Sequence, residues 1–115
     1  MDAHGEPRLV LEANASSVEL TRSDGLQGAV VTLGKDDTND VIHQSVHTSR
    51  HHAFVEAHRD SFYLIDRSTN GTFVQTEDEQ IRYVHRGRLR LWGSGWISLG
   101  EPLHLDRTIL FREAG

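Results

Sequence analysis

The sequence predicts an all-β fold, an antiparallel sandwich or barrel, because short segments rich in β-branched and aromatic residues alternate with turn signals. Within these segments the apolar residues recur mostly at every second position, as they do in strands with one buried face. The segments follow one another about every ten residues, a spacing typical of such folds. Ten segments show the pattern, at residues 9–11, 18–20, 29–33, 54–57, 62–65, 72–74, 81–84, 89–92, 96–99 and 108–111.

Turn-forming residues separate the predicted strands, and no segment predicts an amphipathic helix. Ser, Asn, Asp and Gly cluster at residues 23–25, 36–40, 59–61, 70–71 and 93–95. The best helical candidate, residues 42–54, has polar side chains that interrupt any apolar face. There is no internal repeat or linker, so we expect one domain over residues 1–115 with its core at about 8–113. The first seven and the last two residues are expected to fray.

Composition excludes several classes of function. Leu, Ile, Val and Phe make up 30 of 115 residues, enough for a folded core. The formal net charge of −5 argues against nucleic-acid binding through overall charge. The absence of Cys excludes disulfides, thiolate catalysis and Cys-ligated metals. The polar start and the lack of a long apolar run predict neither a signal peptide nor a membrane contact, so we expect a cytoplasmic domain.

Three connections are richer in hydrogen-bond donors than a turn requires. They are residues 34–40, 48–52 and 66–71. If neighbouring hairpins project them to the same end of the sandwich, one Lys, one Arg, two hydroxyls and an amide come together without an opposing carboxylate. That donor set suits a tetrahedral oxyanion, above all a phosphate. The converging residues would be Lys35, Ser49, Arg50, Thr69 and Asn70.

The order of these motifs resembles the forkhead-associated domain. Gly-Lys at 34–35, Asn-Asp at 39–40, Ser-Arg-His-His at 49–52 and Ser-Thr-Asn-Gly-Thr at 68–72 follow the family's order. Ser49 also lies 14 residues after Lys35, the usual interval in the family. The resemblance covers roughly residues 10–113. It implies an eleven-strand β-sandwich that binds phosphothreonine peptides without catalysis.

The resemblance also implies roles for individual residues. Ser49 and Thr69 would hydrogen-bond the phosphate oxygens, Arg50 would add a phosphate contact, and Asn70 would hold the peptide backbone. Gly71 would supply a turn conformation that a side chain resists, and His52 would support the loops. The supporting set is then Gly34, Asn39, His52 and Gly71. His47, just before the Ser motif, is the candidate for peptide selectivity.

Two features qualify or extend the resemblance. Lys35 stands where the family usually has Arg, so it keeps the positive charge but lacks the planar fork that grips two oxygens at once. Residues 89–100, Leu-Arg-Leu-Trp-Gly-Ser-Gly-Trp-Ile-Ser-Leu-Gly, are similar to the closing segment of forkhead-associated domains attached to bacterial class III nucleotide cyclases. That similarity implies a cyclase context, although no cyclase catalytic residues occur in the chain.

Other chemistries are less well supported by the residues. His43, His47 and His51 have helical spacing, but the segment has poor helical patterning, so we expect no metal site. Ser49, His52 and Asp66 are the residue types of a hydrolase triad, but no nucleophile-elbow motif accompanies them, so we expect neither catalysis nor a cofactor.

The expected partner is a phosphothreonine-containing protein or peptide, which could be a neighbouring domain of the same chain. Neither nucleic acid nor membrane is an expected partner. The alternative is a scaffold or dimerisation domain that binds independently of phosphorylation. It rests on Lys35 in place of Arg.

Overall fold

The described part of the chain contains eleven strands and one short helix. The structure, a computed structural model, describes residues 5–105 and 107–115. The elements in chain order are β1 (Arg8–Ala13), β2 (Ser16–Thr21), α1 (Arg22–Leu26), β3 (Val30–Gly34), β4 (Val41–Ile42), β5 (Ala53–His58), β6 (Ser61–Asp66), β7 (Thr72–Gln75), β8 (Ile81–Val84), β9 (Arg88–Leu91), β10 (Ser94–Leu99) and β11 (Ile109–Ala114).

The strands form two sheets that pack face to face, which confirms the predicted sandwich. One sheet has six strands in the order β2-β1-β11-β10-β7-β8, and the other has five in the order β4-β3-β5-β6-β9. Every pairing is antiparallel except that of β3 with β4, which is parallel. Alternate residues of each strand point inward and bury a shared apolar core. Its largest fully buried side chains are Phe62, Phe111, Leu9, Leu11, Leu20, Leu33, Leu64, Leu91, Ile97, Leu99, Leu103 and Ile109.

All ten predicted strands are present, and β4 is the strand that the sequence analysis missed. It contains only two residues, too few for an alternating pattern to be recognised. The predicted turn at 93–95 was placed too far along the chain, because β10 already begins at Ser94. Gly93 alone keeps a turn conformation there, with φ +64°.

Residues 22–26 form a helix where the sequence predicted only a turn at 23–25. Thr21 caps this helix: its Oγ1 accepts from the N–H of Asp24 at 3.0 Å, and Asp24 Oδ2 accepts from the N–H of Thr21 at 3.2 Å. This reciprocal capping box stabilises a helix too short to show apolar periodicity. Gly25 lets the helix approach β5, since a Cβ there would lie 2.5 Å from the Cβ of Ala57.

The expected fraying of the N-terminus falls partly on residues 1–4, which lie outside the described residues. Glu6 and Pro7 contact α1 directly. Glu6 Oε2 accepts from the N–H of Ser23 at 3.2 Å, and the carbonyl of Pro7 accepts from the N–H of Arg22 at 3.0 Å. Across residues 5–105 and 107–115, no helix approaches the roughly 20 apolar residues that are needed to cross a bilayer.

Strand register determines which loops meet. Leu33, Ala53 and Asp66 are paired in a row across β3, β5 and β6. The loops that follow β3, precede β5 and follow β6 therefore lie at the same end of these strands. They are the three donor-rich connections of the sequence. The tight turn between β5 and β6 lies at the opposite end of the same sheet.

Candidate functional site

Backbone hydrogen bonds join the loop after β3 to the loop before β5. The N–H of Lys35 donates to the carbonyl of Ser49 at 3.0 Å, and the N–H of Asp36 donates to the carbonyl of Arg50 at 3.1 Å. This short ladder continues the sheet pairing, because the N–H of His52 donates to the carbonyl of Leu33 at 3.0 Å. Lys35 and Arg50 are thereby held on adjacent segments.

Gly34 and Asn39 make this close approach sterically and electrostatically feasible. A Cβ at Gly34 would lie 2.2 Å from the carbonyl oxygen of Arg50, a distance that no side chain tolerates. Asn39 is buried, and its Nδ2 donates to the carbonyls of Asp36 and Arg50, each at 2.8 Å. Both residues therefore determine the conformation of the loops and are not part of the exposed surface of the site.

The loop after β6 packs against the loop before β5 through Ser49 and Asn70. The N–H of Thr69 donates to Ser49 Oγ at 3.1 Å, so the two hydroxyl-bearing residues stand side by side. Asn70 Nδ2 donates to the carbonyl of His47 at 3.0 Å, which fixes the plane of its amide. Thr69 and Asn70 are exposed and Ser49 is half-buried, so all of them border solvent.

His52 lies beneath these loops and is completely buried. Its Nδ1 accepts from the N–H of Ser49 at 3.0 Å, and its Nε2 lies 2.8 Å from the carbonyl oxygen of Gly71. Because Nδ1 is an acceptor, the hydrogen-bond network assigns the proton to Nε2, which donates to Gly71. Burial lowers the pKa of His52, while the bond to Gly71 and the nearby Asp66 carboxylate partly oppose that change. The neutral ring therefore connects the two loops.

Asp66 organises the loop after β6 from inside the protein. Its carboxylate accepts from the N–H and the Oγ–H of Ser68 at 3.1 and 2.8 Å, from the Oγ1–H of Thr72 at 2.6 Å and from the N–H of Arg86 at 2.8 Å. Burial alone would raise the pKa of Asp66, but these hydrogen bonds outweigh it and the pKa lies below its ordinary value. A charged carboxylate thus holds the turn that presents Thr69.

Both the backbone conformation and a neighbouring side chain exclude a side chain at Gly71. Its φ of +86° lies in the left-handed region, and a Cβ would lie 2.3 Å from the hydroxyl oxygen of Tyr83. Tyr83 itself donates from its hydroxyl to the carbonyl of Asn70 at 3.0 Å. The N–H of Gly71 donates to Ser68 Oγ at 2.7 Å, which completes the turn.

A shallow depression opens where the three loops meet, and none of the described residues that line it carries a carboxylate. It encloses about 430 Å³, within the range of small-molecule and side-chain pockets. In the described part of the chain, neither the Lys35 ammonium nor the Arg50 guanidinium has a carboxylate oxygen within 4.0 Å. Its lining consists of Lys35, Val46, His47, Thr48, Ser49, Arg50, Thr69 and Asn70.

The structure therefore places all five residues of the expected phosphopeptide-binding set around one depression. The four expected supporting residues lie beneath or between its loops. His47, the candidate for selectivity, also lines it, and its half-exposed ring lies 3.7 Å from Glu101 Oε2.

Sequence reasoning missed four residues that position these loops. Thr48 is buried and donates from Oγ1 to the carbonyl of Leu99 at 2.9 Å, which attaches the Ser49 loop to β10. Gly100, with φ +95°, leaves room for His47, since a Cβ there would lie 2.0 Å from the His47 carbonyl oxygen. The role of Asp66 had one signal in the sequence, its place two residues before the Ser-Thr-Asn-Gly-Thr motif, whereas Tyr83 lies on a distant strand.

The geometry around His52 differs from that of a hydrolase triad. The imidazole contacts the backbone N–H of Ser49 and not its hydroxyl, and Nε2 faces the carbonyl of Gly71. A triad needs the base on the nucleophile's hydroxyl. The metal hypothesis has no geometric support either, because no three potential ligands among residues 5–105 and 107–115 group together. His43, His47 and His51 lie in loops, outside any helix.

Comparisons with known proteins agree with this architecture. A family model described as FHA domain, the forkhead-associated domain, matches residues 31–91. The Rv1747 FHA-1 structure from Mycobacterium tuberculosis superimposes with a TM-score of 0.71 at 20% identity, over 96% of this chain and 100% of that one. Saccharomyces cerevisiae Rad53p, whose N-terminal FHA domain was solved with a phosphothreonine peptide, gives a TM-score of 0.65 at 18% identity, over 92% of this chain and 91% of that one.

A third solved structure resembles the chain over only part of its own length. Mycobacterium tuberculosis EmbR, in complex with a low-affinity phosphopeptide, has 26% identity and a TM-score of 0.63. The match covers 94% of this chain but 25% of that one. A search of curated protein sequences finds no match. Because the family model spans more than half of the 115 residues, the chain belongs to the family of forkhead-associated domains.

Proposed function

We propose that this domain binds phosphothreonine-containing segments of partner proteins and holds the phosphate in the depression between the three loops. The observation that carries the proposal is the local charge of that depression. A protein with a net charge of −5 presents there one ammonium, one guanidinium and the hydroxyls of Ser49 and Thr69, and none of the described lining residues carries a carboxylate. A donor set of this kind matches an anion with several acceptor oxygens.

The phosphate group supplies what the depression lacks. A phosphothreonine carries a charge of about −1.5 to −2 at pH 7 and offers three strong acceptor oxygens. We expect Ser49 and Thr69 to donate from their hydroxyls, Arg50 to donate from its guanidinium and Lys35 to act as a point charge. Asn70, whose Nδ2 is already bonded to His47, would accept from the peptide backbone through Oδ1. An unphosphorylated threonine would lose all the charge-assisted bonds.

The relatives support this function. Forkhead-associated domains are binding modules, so no enzymatic step is proposed at the level of this domain. The Rad53p domain was solved with a phosphothreonine peptide, and EmbR was solved with a low-affinity phosphopeptide. A phosphorylated segment in a partner protein or in a neighbouring domain of the same chain is therefore the expected ligand class.

The direct test is calorimetric titration with a peptide selected from a degenerate phosphothreonine library. We expect the phosphorylated peptide to bind and its unphosphorylated form to bind at least tenfold more weakly, since a charge-assisted bond contributes about 1.5–3 kcal/mol. A phosphoserine version of the same peptide measures the selectivity for threonine. Equal affinity for the phosphorylated and unphosphorylated peptides would instead favour the scaffold or dimerisation alternative.

We also propose that the domain works in the cytoplasm as part of a larger signalling protein that contains a class III cyclase. Support comes from residues 89–100, which are similar to the closing segment of cyclase-attached relatives. Sequencing the coding region on both sides of this domain tests the cyclase context: an open reading frame that encodes no cyclase domain would contradict it. Cell fractionation tests the location, since recovery of the full protein outside the cytoplasm would contradict it.

A further inference from the structure

Arginines with no acidic partner gather on the outer face of the five-stranded sheet, next to the candidate site. Arg88 and Arg90 point outward from β9, and Arg67 follows the end of β6. Arg86 lies in the turn before β9. None of these four residues has a carboxylate oxygen within 4.0 Å in the described part of the chain. We call Arg67, Arg86 and Arg88 the arginine patch.

Four of the other arginines are paired with carboxylates. The pairs Arg8–Glu19, Arg22–Asp60, Arg82–Asp78 and Arg112–Glu12 have nitrogen–oxygen distances of 3.0 to 3.2 Å. They involve the six-stranded sheet, α1 and surface turns. Among the described residues, Arg50, Arg59 and Arg107 also have no carboxylate oxygen within 4.0 Å, but they lie at three separate places. Because four unpaired arginines share one face, that face is locally positive although the protein has an excess of acidic residues.

The patch is held in place by its surroundings. The guanidinium carbon of Arg88 lies 4.1 Å from the ring centroid of Tyr63, and that of Arg67 lies 5.3 Å from the ring centroid of Phe54. Stacking on a ring leaves the edge of a guanidinium free to donate to an anion. Arg86 is fixed by its backbone, since its N–H donates to the buried Asp66 carboxylate at 2.8 Å and its φ is +56°.

A groove of about 540 Å³ runs between these side chains. It is lined by Ile65, Asp66, Arg67, Arg86, Gly87 and Arg88. Asp66 is 2% exposed, and its carboxylate accepts four hydrogen bonds from neutral donors. Its charge offsets one of the three guanidinium charges that line the groove and leaves a positive excess. Glu56 is the acidic side chain on the outer face of β5. Strand pairing aligns Glu56 with Tyr63 and Arg90, whereas Arg88 is aligned with Ile65, so Glu56 is not directly across from Arg88.

The groove adjoins the loop that presents Thr69. Arg86 Nε donates to the carbonyl of Ser68 at 3.2 Å, and Arg67 immediately precedes Ser68. Thr69 is two residues beyond Arg67, so their Cα atoms are at most about 7 Å apart. An extended peptide covers about 3.3–3.6 Å per residue. A ligand whose phosphate lies at Thr69 would thus bring residues about two to five positions away over the groove.

We propose that the arginine patch is a second anion-binding surface, which selects phosphothreonine ligands whose flanking residues are acidic or themselves phosphorylated. The inference rests on the proposed function, because the phosphothreonine anchors the peptide beside the groove. Carboxylates and a second phosphate share the chemistry that the patch recognises. The patch therefore sets specificity among phosphothreonine segments, whereas the loops provide the common anchor.

The test compares three peptides that share one phosphothreonine core. Their flanks on both sides, at positions two to five, are neutral, glutamate-rich or phosphoserine-containing, so the direction of the chain does not matter. Titrations use the wild-type domain, the patch variant R67Q/R86Q/R88Q and the charge-matched variant R8Q/R22Q/R112Q. Thermal denaturation establishes that both triple variants are folded. Substitution by Gln removes the charge but keeps part of the stem.

We expect the wild-type domain to bind a glutamate or phosphoserine flank about three- to tenfold more tightly than the neutral flank, since each exposed pair adds little. The patch variant should lose this preference while keeping its affinity for the neutral-flank peptide, and the charge-matched variant should retain it. If the wild type binds all three peptides equally, or if both triple variants lose the preference for charged flanks equally, the inference about the arginine patch is wrong. The proposed function would stand in either case. If no phosphorylated peptide binds more tightly than its unphosphorylated form, the proposed function fails and the inference fails with it.

Discussion

The backbone N–H of Ser49 donates to Nδ1 of His52 at 3.0 Å, so a buried neutral imidazole fixes the residue that we expect to face the phosphate. The same ring reaches the carbonyl of Gly71 on the other loop at 2.8 Å. One side chain with no exposure thus connects the two segments that flank the depression. Removing it would leave a backbone donor and a backbone acceptor without partners, whereas the residues at the surface would keep their chemistry.

We predict that His52→Ala lowers the free energy of unfolding by about 2–4 kcal/mol, with weaker peptide binding only as a consequence. The pKa of His52 is lowered in the folded state, so below the ordinary value of 6.5 the unfolded chain binds more protons. Its contribution to stability is therefore complete above pH 6.5 and decreases as the pH falls toward the lowered pKa. Urea denaturation between pH 8 and 5 (about three units around the His range) should show a steeper loss for the wild type than for the variant. Parallel pH profiles would contradict this role.

Gly71→Ala should destabilise the domain by several kcal/mol, because it combines a left-handed backbone with a clash against the Tyr83 ring. The chain offers a matched control in Gly28, which has the same φ of +86° but nothing within 4 Å of a Cβ. Gly28→Ala should cost only about 1 kcal/mol, the strain of the backbone alone. Thermal denaturation of both variants separates the two contributions. Equal losses would mean that the Tyr83 contact can relax.

Thr69→Ala should lower affinity for a phosphothreonine peptide about tenfold and leave the melting temperature nearly unchanged, since its exposed hydroxyl forms no hydrogen bond with any residue that the structure describes. Ser49→Ala should weaken binding by a similar factor but also cost about 0.5–1.5 kcal/mol of stability, because Ser49 Oγ accepts from the N–H of Thr69. Calorimetric titration and thermal denaturation of each variant check both effects. A large stability loss in Thr69→Ala would reassign that residue to loop support.

Lys35 is the only lysine in the sequence and stands where relatives usually have arginine. If its ammonium faces the phosphate, Lys35→Arg should tighten binding by about 0.5–1.5 kcal/mol, because a guanidinium donates to two oxygens at once. Lys35→Ala should weaken it by a similar or larger step, and both effects should shrink as salt rises. Titration at two salt concentrations measures this. Unchanged affinity in both variants would mean that Arg50 alone recognises the charge.

The sequence was sufficient for the fold class and for ten of the eleven strands, because alternating burial leaves a periodic record in each strand. Helix α1 was missed for a physical reason: it is stabilised by the Thr21 and Asp24 cap and not by an apolar face. The convergence of Lys35, Ser49 and Thr69 could be inferred from motif order. The long-range hydrogen bonds that support the loops could not be inferred from the sequence. Those from Thr48 to Leu99 and from Tyr83 to Asn70 join residues that no local pattern connects.

The arginine patch was also invisible in the sequence. Arg67 is distant in the sequence from Arg86 and Arg88, and it comes near them only because β9 pairs with β6, which places Arg88 opposite Ile65. The formal net charge of −5 describes an acidic protein and does not indicate that one face is positive. Local electrostatics depends on which surface the strand register assigns to each residue.

We expect a phosphothreonine ligand to lie between the loops at 34–36, 47–50 and 68–71. This expectation is tested most directly by two-dimensional NMR of the isotope-labelled domain during titration with a phosphothreonine peptide and its unphosphorylated form. We predict that titration with the phosphorylated peptide shifts the backbone amide signals of Lys35, Ser49, Arg50, Thr69 and Asn70, and that the unphosphorylated peptide leaves them in place. Shifts confined to another surface, or identical shifts with both peptides, would contradict it.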